Sequence, residues 1–143
     1  MEKKLLSAER YAEIVRDVPI LCVDLIIVGP FNKFLLVERK NEPMAGQFWI
    51  PGGRVMRDEP IQAAAIRLAR EEVGLELDSI KLHGIYEEVF EKSAANPATG
   101  IHTLSAVYWC VARHSDVKVD DQSASYRWSE ELPEHLLTNL KTL

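Results

Sequence analysis

With 143 residues, 47% of them hydrophobic, the chain has the length of one domain and enough apolar material for a single core. A formal net charge of -5, with charged residues spread along the chain rather than gathered into a tail, excludes broad nucleic-acid binding, which relies on surplus Lys and Arg. Cys22 and Cys110 are too isolated for a short-spaced metal pair and read as free, buried thiols of a cytoplasmic protein.

The charged N-terminus, beginning Met1-Glu2-Lys3-Lys4, lacks the apolar centre of a signal peptide. Ser7 can cap a short amphipathic helix through Val15, with Tyr11, Ile14 and Val15 on one face and Pro19 just beyond its end. Residues 1–18 therefore read as a helical appendage on a single domain covering residues 1–143. Residues 19–28 are rich in Ile, Leu and Val and end at Gly29-Pro30, which predicts a buried strand and a turn. Asp24 interrupts that run, which is far too short to span a bilayer, so no membrane partner is expected. Residues 34–38 are its expected hairpin partner across a loop carrying Asn32, and residues 47–50 a further short strand. Pro51-Gly52-Gly53 should break any regular ladder. Pro60 suits a first turn, three alanines favour helix and Gly74 can close it left-handed, so residues 60–73 predict the one strong interior helix, with Ile61, Ala65 and Leu68 as its apolar stripe. Strands over 80–90 and 102–112 flank a loop at 93–100; shorter strands near 117–119 and 125–128 precede a closing helix from about Pro133. The order predicts an α/β/α sandwich, a mixed sheet between helices.

The chemistry gathers on the interior helix. Arg67 and Glu71 stand one turn apart, and Glu71 and Glu72 are adjacent near its C-terminal end. Adjacent acids repel, and a helix C-terminus disfavours negative charge, so the pair suits a bound cation; a solvated helix face is the alternative. Hard divalent cations select oxygen ligands, and magnesium takes a few carboxylates together with water and substrate phosphates.

Gly53, Glu59, Arg67, Glu71, Glu72, Gly74 and Leu75 stand at the spacing of the Nudix signature: Gly, five residues, Glu, seven residues, then Arg-Glu-U-x-Glu-Glu-x-Gly-U, with U a bulky aliphatic residue. The chain thus resembles the Nudix hydrolases, and departs from the signature where Leu68 replaces an acid and Ala69 a larger aliphatic residue. The resemblance extends over most of the chain toward the GDP-mannose mannosyl hydrolase branch. It is carried by Asp24, Phe34-Leu35-Leu36 with Arg39 and Asn41, Pro43, Trp49, Pro51-Gly52-Gly53-Arg54-Val55, Arg67-Leu68, His102, and Gln122 with Tyr126-Arg127-Trp128. It implies a Nudix fold, a magnesium cofactor with manganese as a possible substitute, a nucleoside-diphosphate-linked small molecule as substrate, and a homodimer in which N-terminal segments join the interface. It further implies the Gly52 carbonyl, Glu72 and Gln122 as metal ligands, with Glu71 adding a carboxylate. Arg39, Arg54 and Arg67, with Glu72, are the implied catalytic set, and Asp24, Arg39, Arg54 and His102 the implied substrate contacts.

Each assignment has a plainer reading. Arg67 can simply pair with Glu71 or Glu59, and Arg39 and Arg54 can be ordinary surface charges. Asp24 can be half of a structural ion pair, and Trp49 and Trp128 can be core residues rather than stacking platforms. Ser123 stands where the mannosyl hydrolases have a histidine base, and a serine hydroxyl cannot take that role unaided; Asp120, Asp121 and His102 are the alternatives. Three readings follow in order: hydrolysis of a GDP-sugar at the anomeric carbon, attack at phosphorus of a nucleoside triphosphate or nucleotide sugar, and a non-catalytic nucleotide sensor.

Overall fold

The computed structural model describes residues 5–143; residues 1–4, part of the charged N-terminus, lie outside the described residues. Helix α1 (Ala8–Asp17) starts at Ser7, whose side chain accepts the Arg10 N–H, and leads into the long strand β1 (Ile20–Val28). A 3-10 turn at Pro30–Asn32 connects to β2 (Phe34–Arg39), followed by β3 (Phe48–Trp49) and β4 (Gly52–Arg54). Helix α2 (Ile61–Val73), β5 (Leu77–Phe90), β6 (Ile101–Ala112), β7 (Ser123–Ser129), α3 (Glu134–Asn139) and β8 (Lys141–Thr142) complete the order. The sheet runs β3-β2-β1-β6-β5-β8, with β4 joined to β1 and β7 to β2. Only the β1–β6 pair is parallel among the pairs formed by the described strands, so the sheet is mixed. Helices cover both faces, and the expected α/β/α sandwich is what forms.

Alternation along β1 divides the core. Val23, Leu25 and Ile27 face α2 with Leu35, Val37, Ala106, Tyr108 and Cys110. Ile26 points the other way, joining Leu36, Trp49, Ile50, Tyr86, Val107 and Leu136 of α3. The stripe of α2 differs from the expected one. Ala64, Ala65, Leu68, Ala69 and Val73 are buried, whereas Ile61 is 38% exposed. Small residues let the helix lie close to the sheet, and burial of Leu68 and Val73, at roughly 1.5–3 kcal/mol each, outweighs the tenths that propensity decides. Pro60 stands just outside the helix as its N-cap, and Gly74 closes it at φ 67°.

Two expectations fail for instructive reasons. Gly52 and Gly53 extend a ladder instead of breaking one: Cys22 pairs with Arg54, Val23 with Gly53 and Asp24 with Gly52. A Cβ on Gly52 would lie 1.9 Å from Asp24 Oδ1 and 2.5 Å from the Val23 carbonyl, so only glycine permits this approach. Residues 117–119 form no strand. The Lys118 N–H donates to the Val73 carbonyl at 2.9 Å and the Asp120 N–H to the Glu72 carbonyl at 3.0 Å, satisfying carbonyls at the end of α2.

Candidate active site

The turn before α2 is fastened by one arginine. Arg67 donates through Nε to Glu59 at 2.7 Å, through Nη1 to Glu71 at 3.1 Å, and through Nη2 to Glu59 at 3.0 Å and the Arg54 carbonyl at 2.9 Å. Glu59 also accepts the Met56 N–H at 3.0 Å, and its carboxyl is held below the usual carboxylate range by the Arg67 hydrogen bond. Arg67 therefore braces the loop carrying Arg54 against the helix, and the pairing alternative accounts for its contacts.

One residue beyond Glu71, Glu72 turns into a cleft of about 630 Å³ that it shares with Asp24, Arg39, Arg54, Asp120, Gln122 and other residues. Its Oε2 accepts the Gly52 N–H at 3.2 Å, and a Cβ on Gly53 would lie 3.1 Å from its Oε1. Burial and then the nearby Asp120 push the Glu72 carboxyl up to about 8, with Gly52 and Arg39 acting in the opposite direction. Asp24 is pushed up to about 6, chiefly by burial, while the Ser105 hydroxyl that donates to it and Arg39 act in the opposite direction. Crowded acids near the Arg39 guanidinium, beside a glycine pair that leaves room for a close approach, form a donor set suited to a hard cation. Glu72, Gln122 and the Gly52 carbonyl are the residues that would hold it, with Glu71 at the rim beside Arg67. Among the described residues no three His, Cys, Asp or Glu side chains form a ready coordination cluster. Leu68, 3% exposed, occupies the core and touches the Gly53 position, so it brings no charge to the cleft.

The cleft's other two arginines, Arg39 and Arg54, are held differently from Arg67. Arg39 Nε donates to the Pro43 carbonyl at 2.6 Å, and its charge reaches both Asp24 and Glu72. The Arg54 guanidinium lies 4.8 Å from the centre of the Tyr11 ring, with Nη2 3.6 Å from the Met56 sulfur. Both line the cleft. Also lining the cleft, Asn41 Nδ2 donates to Gln122 Oε1 at 3.4 Å, and the Gln122 N–H to Asp120 Oδ1 at 3.0 Å. Ser123 is buried, with its backbone opposite Arg39 in the β2–β7 ladder.

His102 is the expected substrate contact that the structure does not bring to the cleft. Ile101, Thr103 and Ser105 line it, and alternation turns His102 to the opposite face, where Nε2 pairs with Glu87 at 2.8 Å. Trp49 is a core residue, 8% exposed, whose edge reaches the cleft; Trp128 packs on the other core. Tyr11, Ser105 and Tyr86 were not anticipated in the cleft. Tyr11 looked only like the apolar face of a helix, and the other two carry no signal until strand register is known.

Comparison with known proteins agrees with the geometry. The NUDIX domain family model matches residues 19–137. The Low-salt glycan biosynthesis protein Agl8 of Haloferax volcanii is 28% identical over 119 residues, covering 83% of this chain and 76% of that protein. The ADP-ribose pyrophosphatase of Methanocaldococcus jannaschii is 43% identical over 68 residues, 48% of this chain and 40% of that one. The solved structure of a MutT NUDIX hydrolase from Burkholderia pseudomallei superposes with a TM-score of 0.70 at 25% identity, covering 85% of this chain and 95% of that one. With the signature spacing on α2 and a match from Pro19 to Leu137, the chain belongs to the NUDIX family of hydrolases.

Proposed function

We propose that this hydrolase acts on a nucleoside-diphosphate sugar of the GDP-mannose type, with magnesium, or manganese in its place, as cofactor. The observation that carries the reading is the meeting of Arg39 and Arg54 with Glu72 and Asp24 in one cleft, a cationic grip beside an acidic pair. Arginine forks suit phosphate oxygens, and Asp24 with Ser105 presents acceptor and hydroxyl groups to a sugar or base. In hydrolysis at the anomeric carbon, a water oxygen bonds to that carbon as its bond to the diphosphate oxygen breaks, giving GDP and free sugar. The water proton passes to an acid of the cleft, for which Asp120 is the candidate. A bound magnesium ion would offset charge on the departing diphosphate.

Attack at phosphorus is the second reading, favoured by Ser123. Buried in the β2–β7 ladder, it leaves no imidazole where the mannosyl hydrolases have their base, and the relative from M. jannaschii is named for cleaving ADP-ribose. The test offers GDP-mannose, ADP-ribose and nucleoside triphosphates with magnesium in heavy-oxygen water. Label in the free sugar supports carbon attack; label in a phosphate product overturns it in favour of the second reading. Absence of turnover on the whole panel, with binding retained, points to a nucleotide sensor. The resemblance that underlies this reading also implies a single-domain, cytoplasmic homodimer, and sedimentation of the purified chain tests the dimer. No helix among the described residues is long and apolar enough to cross a membrane.

A further inference from the structure

The arginines of this site are restrained by different means. Carboxylates hold Arg67, and a main-chain carbonyl holds Arg39 through Nε. Among the described residues, the contacts on the Arg54 side chain are soft: a thioether at 3.6 Å and the face of Tyr11 at 4.8 Å, with its backbone carbonyl pinned by Arg67. An aromatic face attracts a guanidinium without accepting its in-plane N–H groups and without cancelling its charge. Tyr11 is itself well fixed. Ser7 caps its helix, Val15 is buried, and Asn96 Nδ2 donates to the Ala12 carbonyl at 2.9 Å, tying α1 to the loop that follows β5.

We infer that Tyr11 is a positioning residue: its ring presents the Arg54 guanidinium to the substrate's diphosphate, making α1 part of the active site. This rests on the diphosphate reading of the cleft. The segment that reads from sequence as an appendage thus sets the affinity of the site, through a contact that anchors a cation without spending its hydrogen bonds.

The test measures steady-state kinetics on GDP-mannose and ADP-ribose with magnesium, and calorimetric binding of GDP and ADP, which needs no turnover. Tyr11→Phe keeps the ring; Tyr11→Leu removes it, with Tyr11→Met as substitute if the leucine variant misfolds. Each is made with Arg54 intact and with Arg54→Ala. Tyr11→Leu is expected to raise KM and the nucleotide Kd roughly three- to tenfold, with kcat within about twofold and Tyr11→Phe close to wild type. In the Arg54→Ala background the same change should add nothing. Equal losses in the phenylalanine and leucine variants, an undiminished effect without Arg54, or no effect at all would overturn the inference. If Arg54→Ala alone leaves KM and nucleotide binding unchanged, the diphosphate reading of Arg54 fails and the role of Tyr11 falls with it.

Discussion

At the inner turn of α2, Arg67 answers Glu59 and Glu71 within hydrogen-bonding distance; one residue further along, Glu72 faces Asp120 and Asp24, with Arg39 as a cation in reach. In the first region the protein satisfies its own charges. In the second, burial and neighbouring acids push a carboxyl up. The signature spacing covers both, yet the residues are held differently: Arg67 and Glu59 tie the loop to the helix, and Glu72 lines the cleft. Breaking the first region should cost stability, and breaking the second should cost activity.

The largest effect is expected from Arg67→Ala. Glu59, with a side chain only 3% exposed, would be left without its guanidinium, and removing one partner of a buried pair costs about 3–5 kcal/mol. Denaturant melts should show this as a lower midpoint. The pair also predicts acid sensitivity. Glu59 is held low in the folded state, so its contribution is complete above the unfolded carboxylate value and is lost as pH falls through the folded one. Glu59→Gln should flatten that acid limb of the melting profile.

Glu72→Gln should reduce kcat by about a hundredfold or more, since it exchanges a charged oxygen donor for an amide at the centre of the cleft. Its stability should move the other way. A carboxyl raised in the folded state costs stability as pH rises from the unfolded value toward about 8, and glutamine removes that cost. The metal-free variant should therefore melt above wild type at pH 8; a lower melting point together with near-normal kcat would erase the distinction between the two regions. Arg39→Ala should weaken handling of the diphosphate by about 1.5–3 kcal/mol, read as a rise in KM. The smallest effect belongs to His102→Ala. It removes an exposed pair with Glu87, worth at most about 1 kcal/mol, and kinetics should stay at wild-type values.

How much of this could be read beforehand differs between the two regions. The helix, its closing glycine and the spacing of Glu59, Arg67, Glu71 and Glu72 were visible because they lie within one continuous segment. The role of Arg67 stayed open, since the sequence places Glu59 eight residues away with no indication that the loop folds back. Strand parity keeps His102 out of the cleft: whether residue 102 or 103 faces it depends on the register of β6 against β1, which no local pattern reveals. The Gly52–Gly53 ladder was missed because glycine usually weakens strands, and the benefit here comes from Asp24 on a neighbouring strand. The segment at 117–119 has strand-like composition, and its hydrogen bonds to the end of α2 are tertiary.

The Gly52 N–H, bonded to Glu72 Oε2 at 3.2 Å, has a practical consequence. A hydrogen-bonded amide proton changes its magnetic shielding when its acceptor is neutralised or drawn elsewhere, so this one backbone amide is a built-in spectroscopic reporter on the carboxylate. In an isotope-labelled sample, the Gly52 cross-peak should move as the cleft is loaded, giving occupancy from an atom that takes no part in turnover.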